Sequence, residues 1–335
     1  DILLTARAGG QRLVLAPARA TVEGVQFNAQ AELPWGERLA ALGKNGISVR
    51  QLVQHADLAF QAEAPAGKLQ HQIALMGHQM NLELARVEAV APPGKALELS
   101  ASARLEDTPV QVSLQAAPLA ELLRRPEGPW QDLALEIRGG DIHLQASGRV
   151  DRPFEARGFD IRYALQGAEI ETLLPMFKLV LSLEGAYSLT GHFADLPDRT
   201  VFDQLKISTG QSDIGGDISV YQGDTRPRLV ANLHSEQIYL RDLLPIGEPE
   251  IAPRTDRRVI PDYNLPIERM REIDGEFNFS GERLRTAAGD LGEIRFTATL
   301  QDGVFRMTEP FRARGWAGAL IESDTTIDAS QDPPR

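Results

Sequence analysis

From residue 294 the chain reads IRFTATLQDGVF, with Ile294, Phe296, Ala298 and Leu300 alternating with Arg295, Thr297, Thr299 and Gln301. An extended chain sends successive side chains to opposite faces, so period two marks a strand with one dry face and one wet face. The same stripe recurs. VQFNAQAEL carries Val25, Phe27, Ala29, Ala31 and Leu33 in phase; ALELSASARL carries Leu97, Leu99, Ala101, Ala103 and Leu105; VQVSLQA carries Val110, Val112, Leu114 and Ala116; FDIRYALQ carries Phe159, Ile161, Tyr163 and Leu165. One-sided stripes belong to antiparallel sheets, whereas parallel strands buried on both faces read as continuous apolar runs. Every such strand needs something to lie on its dry face.

Turn chemistry fits hairpins. Gly-Gly, Gly-Asp or Asp-Gly pairs stand in RGGD (138 to 141), GGD (215 to 217), QGD (222 to 224) and QDG (301 to 303), and are expected as tight turns. Helical stretches are few and short: PWGERLAALG with Pro34 near its start, APLAELLRRP ending at Pro126, GAEIETLLPMF interrupted by Pro175, and LPIERMREI after Pro266. An offset of 70 sets residues 135–175 against 205–245, pairing Leu135 with Leu205, Ile137 with Ile207, Val150 with Val220 and Pro175 with Pro245. The organisation expected is a repeat-built β body over 1–245, a Pro-rich connection with a short helix over 246–272, and a strand group over 273–335 that continues the same sheet. The fold class expected is mainly β: an elongated, curved antiparallel sheet or groove made of hairpin repeats.

Composition narrows the chemistry. The net charge of −12 argues against a nucleic-acid surface, which needs clustered cations to neutralise phosphate; Arg254, Arg257 and Arg258 sit beside Asp256. With no cysteine there is neither a disulfide framework nor a thiolate site. The six histidines form no metal pair at helical spacing, and His71 and His78, seven apart in an expected strand, would face opposite ways. Asp213 and Asp217 flank IGG, and are expected as turn residues rather than calcium ligands. No P-loop, nucleophile elbow or dinucleotide fingerprint is present. No catalytic residue, metal or cofactor is therefore assigned.

About fifteen to twenty strands at about 4.8 Å each would make a sheet roughly 70 to 100 Å long, with only a few short helices to cover it. A second packed sheet and a trough holding acyl chains satisfy the pattern equally well.

Three stretches resemble the AsmA-like family, relatives of repeating β-groove lipid carriers: LKISTGQSDIGGDISVYQGDTRPRLVANLHSEQIYLRDLLP (205 to 245), RVIPDYNLPIERMREIDGEFNFSGERLR (258 to 285) and FRARGWAGALIESDTTIDAS (311 to 330). The resemblance implies a periplasmic domain of a protein held in the inner membrane of a Gram-negative bacterium, acting in phospholipid traffic to the outer membrane and in outer-membrane assembly. Opening with DILLTARAGG, the sequence reads as a piece of a longer one, with an N-terminal anchor expected outside it. The resemblance favours the trough, with phospholipid acyl chains as ligand. The lining residues expected from the stripes are Val25, Phe27, Leu97, Leu99, Val112, Leu114, Ile161, Tyr163, Leu165, Ile294, Phe296 and Leu300. The alternative is an assembly scaffold whose open strand edges pair with inner- or outer-membrane proteins.

Overall fold

The structure, a computed structural model, describes residues 3–9, 12–22, 25–34, 55–65, 70–75, 78–172, 184–223, 225–239, 242, 267–286, 289–315 and 318–330. The expected first helix in PWGERLAALG, the end of GAEIETLLPMF, and most of the Pro-rich connection lie outside these residues. Among the described residues strands dominate, and two short α-helices accompany them. The chain divides into two compact units, Asp1–Leu165 and Gln166–Arg335.

The first unit holds β1 (Leu3–Gly9), β2 (Arg12–Val22), β3 (Val25–Pro34), β4 (Asp57–Glu63), β5 (Gln70–Leu75), β6 (His78–Ala91), β7 (Leu97–Leu105), β8 (Thr108–Ala116), β9 (Trp130–Gly139), β10 (Ile142–Arg152) and β11 (Arg157–Gly167). Antiparallel pairing runs β1–β2–β3–β4–β6–β7–β8–β9–β10, and β5 shares one edge of the long β6 with β4. Helix α1 (Leu119–Arg124) follows β8.

The second unit holds β12 (Tyr187–Asp195), β13 (Arg199–Thr209), β14 (Ser212–Tyr221), β15 (Arg228–Ser235), β16 (Ile238–Tyr239), α2 (Ile267–Glu272), β17 (Asp274–Thr286), β18 (Gly289–Gln301), β19 (Val304–Arg314), β20 (Leu320–Ser323) and β21 (Thr326–Asp328). Pairing is antiparallel except where β17 joins β15 and β16 in parallel, after a crossover that ends in α2. β20 and β21 share the outer edge of β19.

Two-residue turns set the register. Gly140 and Gly210, 70 residues apart, take left-handed conformations at φ 58° and 54° and close the β9–β10 and β13–β14 hairpins. Asp302 and Gly303 do the same between β18 and β19. GGD at 215 to 217, expected as a turn, instead lies inside β14. A Cβ on Gly216 would sit 2.1 Å from the Asn232 carbonyl oxygen, at φ 137°. Its glycines admit a close strand approach opposite a bulge in β13, where Gln204 has φ 52° and donates its N–H to Asp217 at 3.1 Å. Asp213 also serves the sheet rather than a turn of its own, accepting the N–H groups of Glu236 and Gln237.

The closest packing among the described elements runs between strands that are hydrogen-bonded neighbours. An apolar cluster in the second unit is the exception to a bare face: Met270 of α2 packs with Leu300 and Ala329, flanked by Ile273, Phe277, Phe305 and Ile327. Arg271 pins the helix by donating from Nε to the Ala329 carbonyl.

Two stability outcomes follow. Gly216→Ala should lower stability by about 3 kcal/mol or more, because backbone must move, whereas Gly94→Ala, left-handed in open space, should cost about 1 to 2 kcal/mol. Met270→Ala should cost about 2 to 4 kcal/mol by opening the cluster over Leu300. Urea midpoints of the three variants check both.

Candidate functional site

The registers of the first unit align its stripes into continuous apolar rows. One row runs Ala29, Phe60, Ala89, Leu99, Leu114, Leu135, Ala146, crossing β3, β4, β6, β7, β8, β9 and β10. The next runs Phe27, Ala62, Val87, Ala101, Val112, Ile137, Leu144 across the same strands. Seven strands at about 4.8 Å give rows roughly 29 Å long. Phe27 and Phe60, on neighbouring strands, have ring centroids 6.3 Å apart.

These residues are half-buried by lateral neighbours rather than sealed. Phe60 keeps 40 % of its surface exposed, and no large side chain among the described residues is fully buried. Small Ala stands among Leu, Val, Ile and Phe in each row.

The opposite face is polar in the same register. Asn28, Gln61, Glu88, Ser100, Ser113, Glu136 and Gln145 form one row, and Gln26, Glu63, Arg86, Ser102, Gln111, Arg138 and His143 the next. Arg86 bridges Glu63 at 3.2 Å and donates from Nε to Glu88 at 2.9 Å. Glu136 accepts from His143 Nε2 at 2.7 Å and from Arg138 Nε at 2.9 Å. A cavity of about 740 Å³ on this face is bordered by Glu88, Ser100, Ser113, Glu136, Gln145 and Arg162. Short serines between long charged side chains account for it.

Of the twelve lining residues expected from the sequence, nine belong to the first unit and three to the second. Phe27 and Val112 share a row, as do Leu99 and Leu114, and Leu97 stands opposite Ala116. Ile161, Tyr163 and Leu165 share one face of β11 by alternation. Val25 is buried. In the second unit Phe296 stacks on Phe279 with centroids 5.6 Å apart, Ile294 is buried opposite Gly281, and Leu300 lies in the cluster under Met270. Phe60, Val87, Leu135, Ile137 and Leu144 complete the rows and were missed, although FQAE, ARVEAV and LALEI carry the same alternation. Among the described residues no group of three His, Asp or Glu side chains could hold a metal ion, and no helix is long and apolar enough to cross a membrane.

The AsmA family protein YhjG of Escherichia coli (strain K12) is 22 % identical over 237 residues. The chain is similar to this AsmA family protein. The alignment covers 63 % of this chain but 34 % of that protein, so the chain spans about a third of the length of the relative it matches. No family model and no solved structure matches the chain.

Hydrogen bonds from His143 first, then Arg138, hold the Glu136 carboxyl below its ordinary range. A depressed carboxylate contributes stability above its unfolded-state pKa and loses that contribution as pH falls through the folded-state value. His143→Ala should therefore move Glu136 titration toward higher pH, read by carboxyl-carbon NMR, with the change confined to the acid side of neutrality.

Proposed function

We propose that the apolar face of Asp1–Leu165 binds phospholipid acyl chains, as part of a periplasmic domain that carries lipid between the inner and outer membranes. The observation that carries this reading is the pair of apolar rows, continuous over seven strands, on which Phe60 keeps 40 % of its surface exposed. The second unit supplies the contrast, because there Met270 lies over Leu300 and packs as core.

The energetics suit a carrier. Each methylene moved out of water contributes about 0.8 kcal/mol, so about ten buried methylenes supply about 8 kcal/mol, the scale of a micromolar complex before ordering losses. A bilayer's hydrocarbon core is about 30 Å thick, or about 15 Å per acyl chain, and rows roughly 29 Å long accept extended chains. Rows of Ala, Leu and Val carry no fixed polar partner, so a chain can slide without breaking a hydrogen bond. Transfer of this kind needs no catalytic group. The likeness to an AsmA family protein supports a setting in the cell envelope, and the resemblance in the C-terminal motifs supports attachment to the inner membrane.

Native mass spectrometry of gently purified protein, with extraction and phospholipid analysis, tests the reading. Wild type should carry phospholipid at a defined ratio. Leu99→Asp and Leu114→Asp should lower that ratio at least fivefold while the far-ultraviolet strand signal is kept. Lipid-free wild type, or collapse of the strand signal in both variants, would show that the face is covered by protein instead.

A further inference from the structure

The polar face of Asp1–Leu165 is more than a wet backing, because it is hollowed. Its cavity of about 740 Å³ has the size of a ligand pocket, roughly 300 to 1,000 Å³, yet hydrogen-bonding groups form its walls in place of the usual apolar ones. Two rows cross it. Glu98, Gln115, Ala134 and Ser147 stand side by side on β7, β8, β9 and β10. On β11, Asp160 accepts from Arg149 at 3.1 Å and Ile161 lies against Gly148, so the next pair in that ladder is Arg162 with Ser147. The second row, Glu88, Ser100, Ser113, Glu136 and Gln145, runs beside the first.

Short side chains make the floor and long ones the wall. Ser100, Ser113, Ala134 and Ser147 keep the floor low, and Glu88, Glu98, Glu136 and Arg162 stand around it. Two of the wall carboxylates are held in place, Glu88 by Arg86 and Glu136 by Arg138 and His143. Each keeps lone pairs with which to accept from a ligand, and little side-chain freedom remains to be lost. Glu98 and Arg162, at the two ends of the first row, have no hydrogen-bond or ion-pair partner among the described residues. One end therefore offers acceptors and the other donors. With Glu63, which also bridges Arg86, the charged groups are four carboxylates against three guanidiniums and one imidazole. So near a balance gives no strong field to draw in a polyanion or a polycation.

We infer that this cavity binds an uncharged oligosaccharide whose rings lie across the strands. Sugar hydroxyl and N-acetyl groups both donate and accept, which suits a lining of carboxylates, amides, hydroxyls and a guanidinium. The repeat decides between polymers. The lining steps by about 4.8 Å from strand to strand, close to the length of one pyranose unit, whereas an extended peptide advances about 3.3 Å per residue and falls out of step. A nucleic-acid strand would set its phosphates against Glu88, Glu98 and Glu136. From Glu98 to Arg162 is four strand steps, about 19 Å, which is room for about four rings. Neither row carries an aromatic ring to stack on a sugar, so hydrogen bonds alone set the selectivity and the affinity is modest. The inference does not rest on the lipid reading, since the cavity and the apolar rows occupy opposite faces of the same strands.

The test is a saturation-transfer NMR titration of the full chain with tetra-N-acetylchitotetraose and with cellotetraose, using spermine and tripolyphosphate as charged controls. Wild type should bind a tetrasaccharide with a millimolar or tighter dissociation constant, and the matching monosaccharide about tenfold more weakly. Glu98→Gln and Arg162→Gln should each weaken tetrasaccharide binding about fivefold. Ser113→Tyr, which fills the floor, should abolish it, with the far-ultraviolet strand signal and the carried phospholipid unchanged. If wild type binds neither tetrasaccharide, if spermine or tripolyphosphate displaces the sugar at lower concentration, or if all three variants bind as wild type does, the cavity is not a glycan site. Tetrasaccharide binding by a wild type that carries no phospholipid would overturn the lipid reading and leave this one standing.

Discussion

Everything in this protein depends on backbone pairing register. A strand whose side chains alternate between apolar and polar has two usable faces only while its neighbours agree on which is which, and a slip of one residue inverts every stripe. Across β3 to β10 the agreement holds strand after strand, so that Leu99, Leu114 and Leu135 meet on one side while Ser100, Ser113 and Glu136 meet on the other. Two-residue turns enforce it, because residues such as Gly140, Gly210 and Gly303 accept the left-handed conformation that matches strand twist. Cohesion then comes from the ladders and from lateral packing within each row.

The charged face has a different part. Exposed ion pairs such as Arg86 with Glu63 contribute about 0 to 1 kcal/mol each, too little to determine the fold. Their effect is to make one side wet whatever happens on the other. A row of alternating Glu, Arg and Gln resists face-to-face association of sheets, so the apolar rows are the surface on which a covering group gains most.

The alternation was legible in the sequence because it needs nothing beyond nearest neighbours, and it placed Leu97, Leu99, Val112 and Leu114 on one face. Features set by distant segments were not legible. GGD at 215 to 217 has the composition of a turn, and only the approach of Asn232 shows why glycine is needed inside β14. The parallel junction of β15 with β17 leaves no mark in either strand's pattern, since parallel and antiparallel partners accept the same stripe. Leu114 and Leu300 sit in indistinguishable local patterns, yet Met270, thirty residues before Leu300, covers only the latter. Phe154 in RPFEARG belongs to no stripe, and its exposure becomes visible only with Trp130 beneath it.

The difference between Leu114 and Leu300 bears on mechanism. When a helix of the same chain covers an apolar face, the cover is permanent, and each buried methylene adds to folding stability. Where the cover comes from outside the chain, the same methylenes stabilise a complex, and occupancy follows the supply of the covering group by mass action. On the proposed reading, the first unit leaves its rows for the second kind of cover. Its rows of Ala, Leu, Val and Phe offer no fixed polar partner, and such a floor would hold a hydrocarbon chain about equally well at neighbouring positions along the row. Binding that is substantial in sum but nearly uniform along its length retains a lipid without trapping it, and that combination distinguishes a conduit from a store.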